Sequence, residues 1–112
     1  MKKDNRVYLH DILQVVEKCE PYLSGLTFDE FYEDEPLHYM VVHFIQTVGE
    51  VAGRLSPEFR EEHPEFPVVK AKSMRNRIIH EYDQINWHIV WETAPEDFSE
   101  LKKIVQAILA KP

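Results

Sequence analysis

The segment Arg75-Asn76-Arg77-Ile78-Ile79-His80-Glu81-Tyr82 sets two guanidinium groups, an amide, an imidazole and a phenol around two aliphatic anchors. An imidazole changes charge near neutral pH, so His80 is suited to taking the proton of a ribose 2′-hydroxyl or giving one to a leaving 5′-oxygen. A guanidinium presents planar, permanently charged donors that match non-bridging phosphate oxygens, the role open to Arg75. Such donors speed a reaction only where they grip transition-state charge more tightly than the ground state. Asn76, four residues before His80, is spaced to orient it, and Tyr82 to contact a base or a phosphate. The same residues also suit a helix end with an arginine ion pair and a satisfied histidine, and spacing leaves that alternative open.

In a helix, Arg75, Ile79 and Tyr82 share one face, and Asn76, His80 and Asp83 a neighbouring one. Arg75 and His80 are five residues apart, so they meet only at a helix end, across a helix pair or across a dimer axis. Between Pro67 and His80 stand Lys70, Lys72, Arg75 and Arg77 with no acid, whereas Asp29 to Glu35 holds five acids and the chain carries a net charge of -7. That balance argues against a general nucleic-acid binder relying on counterion release. A small basic patch on an acidic body engages a phosphate without holding long duplexes, with Lys72 and Arg77 as supporting cations. No His-Glu-x-x-His, paired cysteines, calcium-loop spacing or glycine-rich phosphate loop is present, so no metal ligands and no cofactor are assigned.

A chain of 112 residues with 44% apolar content is expected to form a single domain over 1–112. The lone Cys19, in an apolar helical pattern, reads as a reduced core residue. Neither a signal-peptide apolar run nor a membrane-length stretch is found, so the expected location is the cytoplasm.

All the periodicity is helical. A first helix is expected from about Asp4 to Leu23, with Tyr8, Ile12, Val15 and Cys19 on its stripe and Ser24-Gly25 as its stop. Thr27 and Glu30 form a capping-box pattern for a short helix, followed by a turn over Tyr32 to Pro36. A long helix is expected from about Pro36 to Leu55, with Val41, Phe44, Val48, Val51 and Leu55 inward and His38 and His43 at the surface or an interface. Its Gly49 and Gly53 cost roughly 1 kcal/mol each relative to alanine, which close approach of another helix would justify. Ser56-Pro57 starts another short helix, Val68 or Val69 begins the motif helix that runs to about Tyr82, and Ile85 opens a further stripe. Pro95 is expected to interrupt that stripe, with Glu96-Asp97 at the start of a final helix. The fold class is all-α: an up-and-down four-helix bundle with short accessory helices.

Arg75 through His80 matches the R-x4-H motif of the HEPN superfamily, and its continuation to Tyr82 gives the RNxxxHxY form of the HepT-like branch. Asp11-Ile12-Leu13, Phe31, the segment Val48 to Ser56 including Glu50, and Val90-Trp91-Glu92 resemble family positions in family order. The resemblance implies a HEPN-like fold and a homodimeric, metal-independent endoribonuclease, the toxin of a type II-like toxin–antitoxin system. Arg75 and His80 would be catalytic in a composite cleft that receives RNA, and Asn76 a supporting polar group. Tyr82 matches the tyrosine to which an MntA-type minimal nucleotidyltransferase antitoxin transfers AMP, placing phosphate charge and adenylate bulk beside the catalytic pair. The alternative is a non-catalytic dimeric helical module that binds a nucleotidyltransferase and a nucleotide or RNA phosphate. The chain departs from the family pattern at Val68, where tryptophan often follows proline, at Val51, where alanine is common, and at Asp83-Gln84 after the motif. None of these removes a candidate catalytic group.

Overall fold

A computed structural model describes residues 4–80 and 82–111, with the side chains at 77–80 and 82 outside the described set. The chain runs α1 (Asn5–Leu23), α2 (Phe28–Glu33), α3 (Glu35–Ala52), α4 (Pro57–Glu62), α5 (Val68–His80), a 3₁₀ turn (Tyr82–Gln84) and α6 (Trp87–Leu109). No strand occurs among the described residues. The four long helices α1, α3, α5 and α6 make the bundle, and α2 and α4 are the short accessory pieces. Helix α1 packs against both α3 and α6, and α3 in turn carries α5. The all-α, HEPN-like fold class expected from the sequence is the one observed.

Local chemistry sets most boundaries. Asp4 accepts the Arg6 amide at 2.8 Å and starts α1, while Gly25, at φ 70, takes the left-handed conformation that carries the chain away from its end. Thr27 and Glu30 close the reciprocal capping box of α2. Asp34 accepts the Leu37 amide at 3.1 Å, so the expected turn shrinks to that one residue, which caps α2 and α3 alike. Ser56 caps α4 and exchanges two hydrogen bonds with Asn5, each 3.0 Å, which fixes the start of α1 to the α3–α4 corner.

The core is continuous through the bundle. On α1 the buried stripe is Leu9, Ile12, Val16, Cys19 and Leu23, displaced by part of a turn from the expected one, with Tyr8 and Val15 half-buried beside it. On α3 the buried set includes Leu37, Val41, Ile45, Val48, Val51 and Ala52. One expectation about the histidines is corrected. His38 is buried rather than superficial: its Nε2 donates to the Phe31 carbonyl at 2.8 Å and its ring stacks on Trp87 at 4.2 Å, which satisfies both the polar and the apolar part of the side chain. His43 is exposed, as expected.

Pro95 does not divide the last segment. It lies inside the unbroken α6, where Ala94, Phe98, Leu101, Val105 and Ile108 form one buried stripe that passes straight over it. Proline leaves one α6 carbonyl without its usual partner, but the burial on either side outweighs that loss. No helix among the described residues is long and apolar enough to cross a membrane.

Candidate active site

Helix α5 carries the motif and lies across α3. It begins after Pro67, whose carbonyl accepts the Ala71 amide at 3.0 Å. Val68 is buried at its start, whereas the next residues Val69 and Lys70 are exposed. At Gly49 the contact with α3 is tight. A Cβ placed there would stand 2.5 Å from Arg75 Cβ, 2.9 Å from the Ala71 carbonyl and 3.2 Å from Arg75 Cδ. Only a glycine leaves room for the helix backbone and the arginine stem at that depth. The cost of a mid-helix glycine is thus explained at Gly49, while Gly53, whose Cβ would meet nothing closer than 3.4 Å, is not forced by space.

The glycine floor fixes the root of Arg75, and Asn76 fixes its head. The Arg75 guanidinium donates from Nη2 to Asn76 Oδ1 at 2.9 Å. Arg75 is partly buried and Asn76 is exposed, so the charged end is led outward from the α3–α5 seam. Among the described residues, Arg75 Nε is buried without a hydrogen-bond partner and no carboxylate shares the guanidinium. A cation held by a neutral amide keeps its full charge for an anionic ligand, unlike one neutralised in an ion pair. The structure places the Asn76 carbonyl oxygen on Arg75; the His80 side chain, which the sequence reading gave Asn76 to orient, lies outside the described residues.

The other expected residues are distributed as follows. Lys72 is partly buried on α5, its stem lying near Gly53 one turn from Arg75. Lys70, counted in the basic patch, forms an ion pair with Asp97 of α6 at 3.0 Å, and that hydrogen bond and charge raise its pKa. Asp97 therefore bridges helices and does not cap a new one. His80 is the last residue of α5, and the chain enters the 3₁₀ turn at Tyr82. The side chains of Arg77, His80 and Tyr82 lie outside the described residues. Glu50, next to Gly49, is exposed.

Two adjoining apolar cavities, about 140 and 360 Å³, open between α5 and α6, lined among others by Ile45, Met74, Val90 and Leu101. Neither includes Arg75, Asn76 or Lys72. The candidate site is thus a surface on the α3–α5 seam, as suits an extended polymer better than a small enclosed ligand.

Comparison with known proteins bears on this geometry. The family model described as "Ribonuclease HepT-like" matches residues 12–108. A protein of Caldanaerobacter subterraneus subsp. tengcongensis named "Putative RNase TTE0752" is 38% identical over 109 residues, covering 97% of each chain. "Putative RNase MJ0127" of Methanocaldococcus jannaschii is 31% identical, over 96% of this chain and 92% of its own. "Probable ribonuclease HepT" of Thermococcus cleftensis is 29% identical, over 91% and 93%. No solved structure matches the chain.

Proposed function

We propose that this chain, which belongs to the ribonuclease HepT-like family, is a metal-independent endoribonuclease acting as one domain over 1–112 in the cytoplasm, the toxin half of a toxin–antitoxin pair. The observation that carries the reading is the preparation of Arg75: its stem is seated on Gly49 and its guanidinium is held by a neutral amide, with no acid on it among the described residues. In the mechanism, His80 accepts the proton of a ribose 2′-hydroxyl as the 2′-oxygen forms a bond to phosphorus. The phosphorus–5′-oxygen bond breaks, an imidazolium returns a proton to the departing oxygen, and a 2′,3′-cyclic phosphate remains. Arg75 grips the non-bridging oxygens as charge builds on them, and Arg77, Lys72 and Asn76 support the strand.

Arg75 and His80 both belong to α5, five residues apart. At 3.6 residues per turn that separates them by about 140° around one helix axis. A second copy of α5, brought close across a dimer axis, supplies the missing partner, so the working site is a composite cleft of a homodimer. The inhibiting partner is an MntA-type nucleotidyltransferase that adenylylates Tyr82.

Cleavage of transfer RNA and messenger RNA in excess EDTA tests the assignment. Wild type cuts under chelation, and His80→Ala and Arg75→Ala each lose about 10²–10³-fold. Undiminished cleavage by either variant, or wild-type cleavage abolished by EDTA, contradicts it. Growth inhibition that survives both substitutions would favour the non-catalytic binding module.

A further inference from the structure

Gly49 of α3 and Gly53, which caps its C-terminal end, are one helical turn apart, and each lies beneath the stem of a cation from α5. Arg75 crosses at Gly49, and Lys72 Cδ would stand 3.7 Å from a Cβ at Gly53. Arg54 follows Gly53 in the chain and is exposed. Arg60 reaches back from α4 and donates from Nη2 to the Gly53 carbonyl at 3.0 Å. Lys72 and Arg60 therefore meet at Gly53, with Arg54 next to it in the chain, about 5 Å along the seam from the Arg75 contact, the rise of one helical turn.

Two of the three are uncommitted. Lys70 and Lys102 are held by Asp97 and Glu20, but neither Lys72 nor Arg54 forms an ion pair or side-chain hydrogen bond among the described residues. Glu50, in the last turn of α3, is exposed, and no ion pair joins it to Arg54 among the described residues. Arg60 is tied to the end of α3, so it adds positive field and holds the corner in place.

We infer that the seam at Gly53 is a second phosphate subsite, in which Arg54 and Lys72 bind the RNA backbone phosphate adjoining the one held at Arg75. This rests on the ribonuclease reading above and adds Arg54 to it. A partly exposed lysine one turn from Arg75, with an exposed arginine next in the chain to the glycine beneath it, suits a single strand tracked by its backbone. It also lets an acidic protein hold RNA locally.

The test uses a short single-stranded RNA methylated at every 2′-oxygen, which cannot be cut, with its dissociation constant measured by fluorescence anisotropy across a range of KCl. Arg54→Gln/Lys72→Gln is expected to bind about tenfold more weakly, and its log–log salt slope to fall by about 1 to 1.5, the share of two single-strand phosphate contacts. On unmodified RNA the loss falls on KM and not on kcat. Arg54→Lys/Lys72→Arg, which keeps both charges, restores the slope. An unchanged slope in the glutamine variant overturns the subsite, as does a defect confined to capture of the nucleotidyltransferase with RNA affinity intact. The methylated strand reports binding alone, so cleavage by His80→Ala can refute the catalytic reading without touching this one.

Discussion

At the scale of single residues, the decisive feature is that Arg75 is held by Asn76 and, among the described residues, by no acid. Adenylylation would strike this arrangement directly, because AMP on Tyr82 brings phosphate oxygens that compete with RNA for the same guanidinium. Incubation with the partner enzyme and ATP should add AMP at Tyr82 by mass spectrometry and lower cleavage in proportion to the modified fraction. Modification elsewhere, or full activity at complete Tyr82 modification, contradicts the proposal. Cys19 provides a separate residue-level check on the core. Burial, with a smaller contribution from the charge of Glu20, pushes its thiol up to about 12. The protonated thiol is the neutral form, so its contribution to stability is complete below the range of an unfolded thiol and is lost as pH climbs from there towards about 12. At about pH 8.5, near the ordinary thiol pKa, an alkylating reagent should label Cys19 only at the rate of unfolding; rapid labelling of native protein would contradict its burial.

At the scale of elements, Gly49 and Gly53 look alike in sequence and differ in consequence. Alanine at Gly49 would drive its Cβ to 2.5 Å from Arg75 Cβ and 2.9 Å from a backbone carbonyl, so α5 must move. Gly49→Ala should destabilise by about 1–3 kcal/mol even after the gain in helix propensity, and cleavage should fall with the displaced arginine. Gly53→Ala meets only ordinary contacts and should be neutral or stabilising by up to about 1 kcal/mol. Thermal unfolding of both variants distinguishes the sites, and equal effects would contradict the seam geometry. The same contrast explains what could be read in advance. The caps at Thr27 and Ser56 were legible because every participating residue is within three positions. Pro95 misled because the rule that proline ends a helix is local, while the burial holding α6 together spans the bundle. His38 was read as superficial because Trp87, on which it stacks, is far away in sequence. Lys70 looked available because Asp97 lies 27 residues on. The motif marked α5 as the candidate site, but nothing local showed that Gly49 lies beneath Arg75.

At the scale of the whole molecule, Arg75 and His80 stand five residues apart on α5, and the proposed site draws them from two subunits. In a two-fold dimer each shared site would take its arginine from one copy and its histidine from the other. Arg75→Ala and His80→Ala subunits, co-expressed with different tags and purified through both, would then contain one site lacking both groups and one site intact. Cleavage by that doubly tagged species is the most direct measurement. Recovery to about half of wild-type activity, from parents that are each inactive, is the result expected of a composite two-fold site. A heterodimer as inactive as its parents would contradict it.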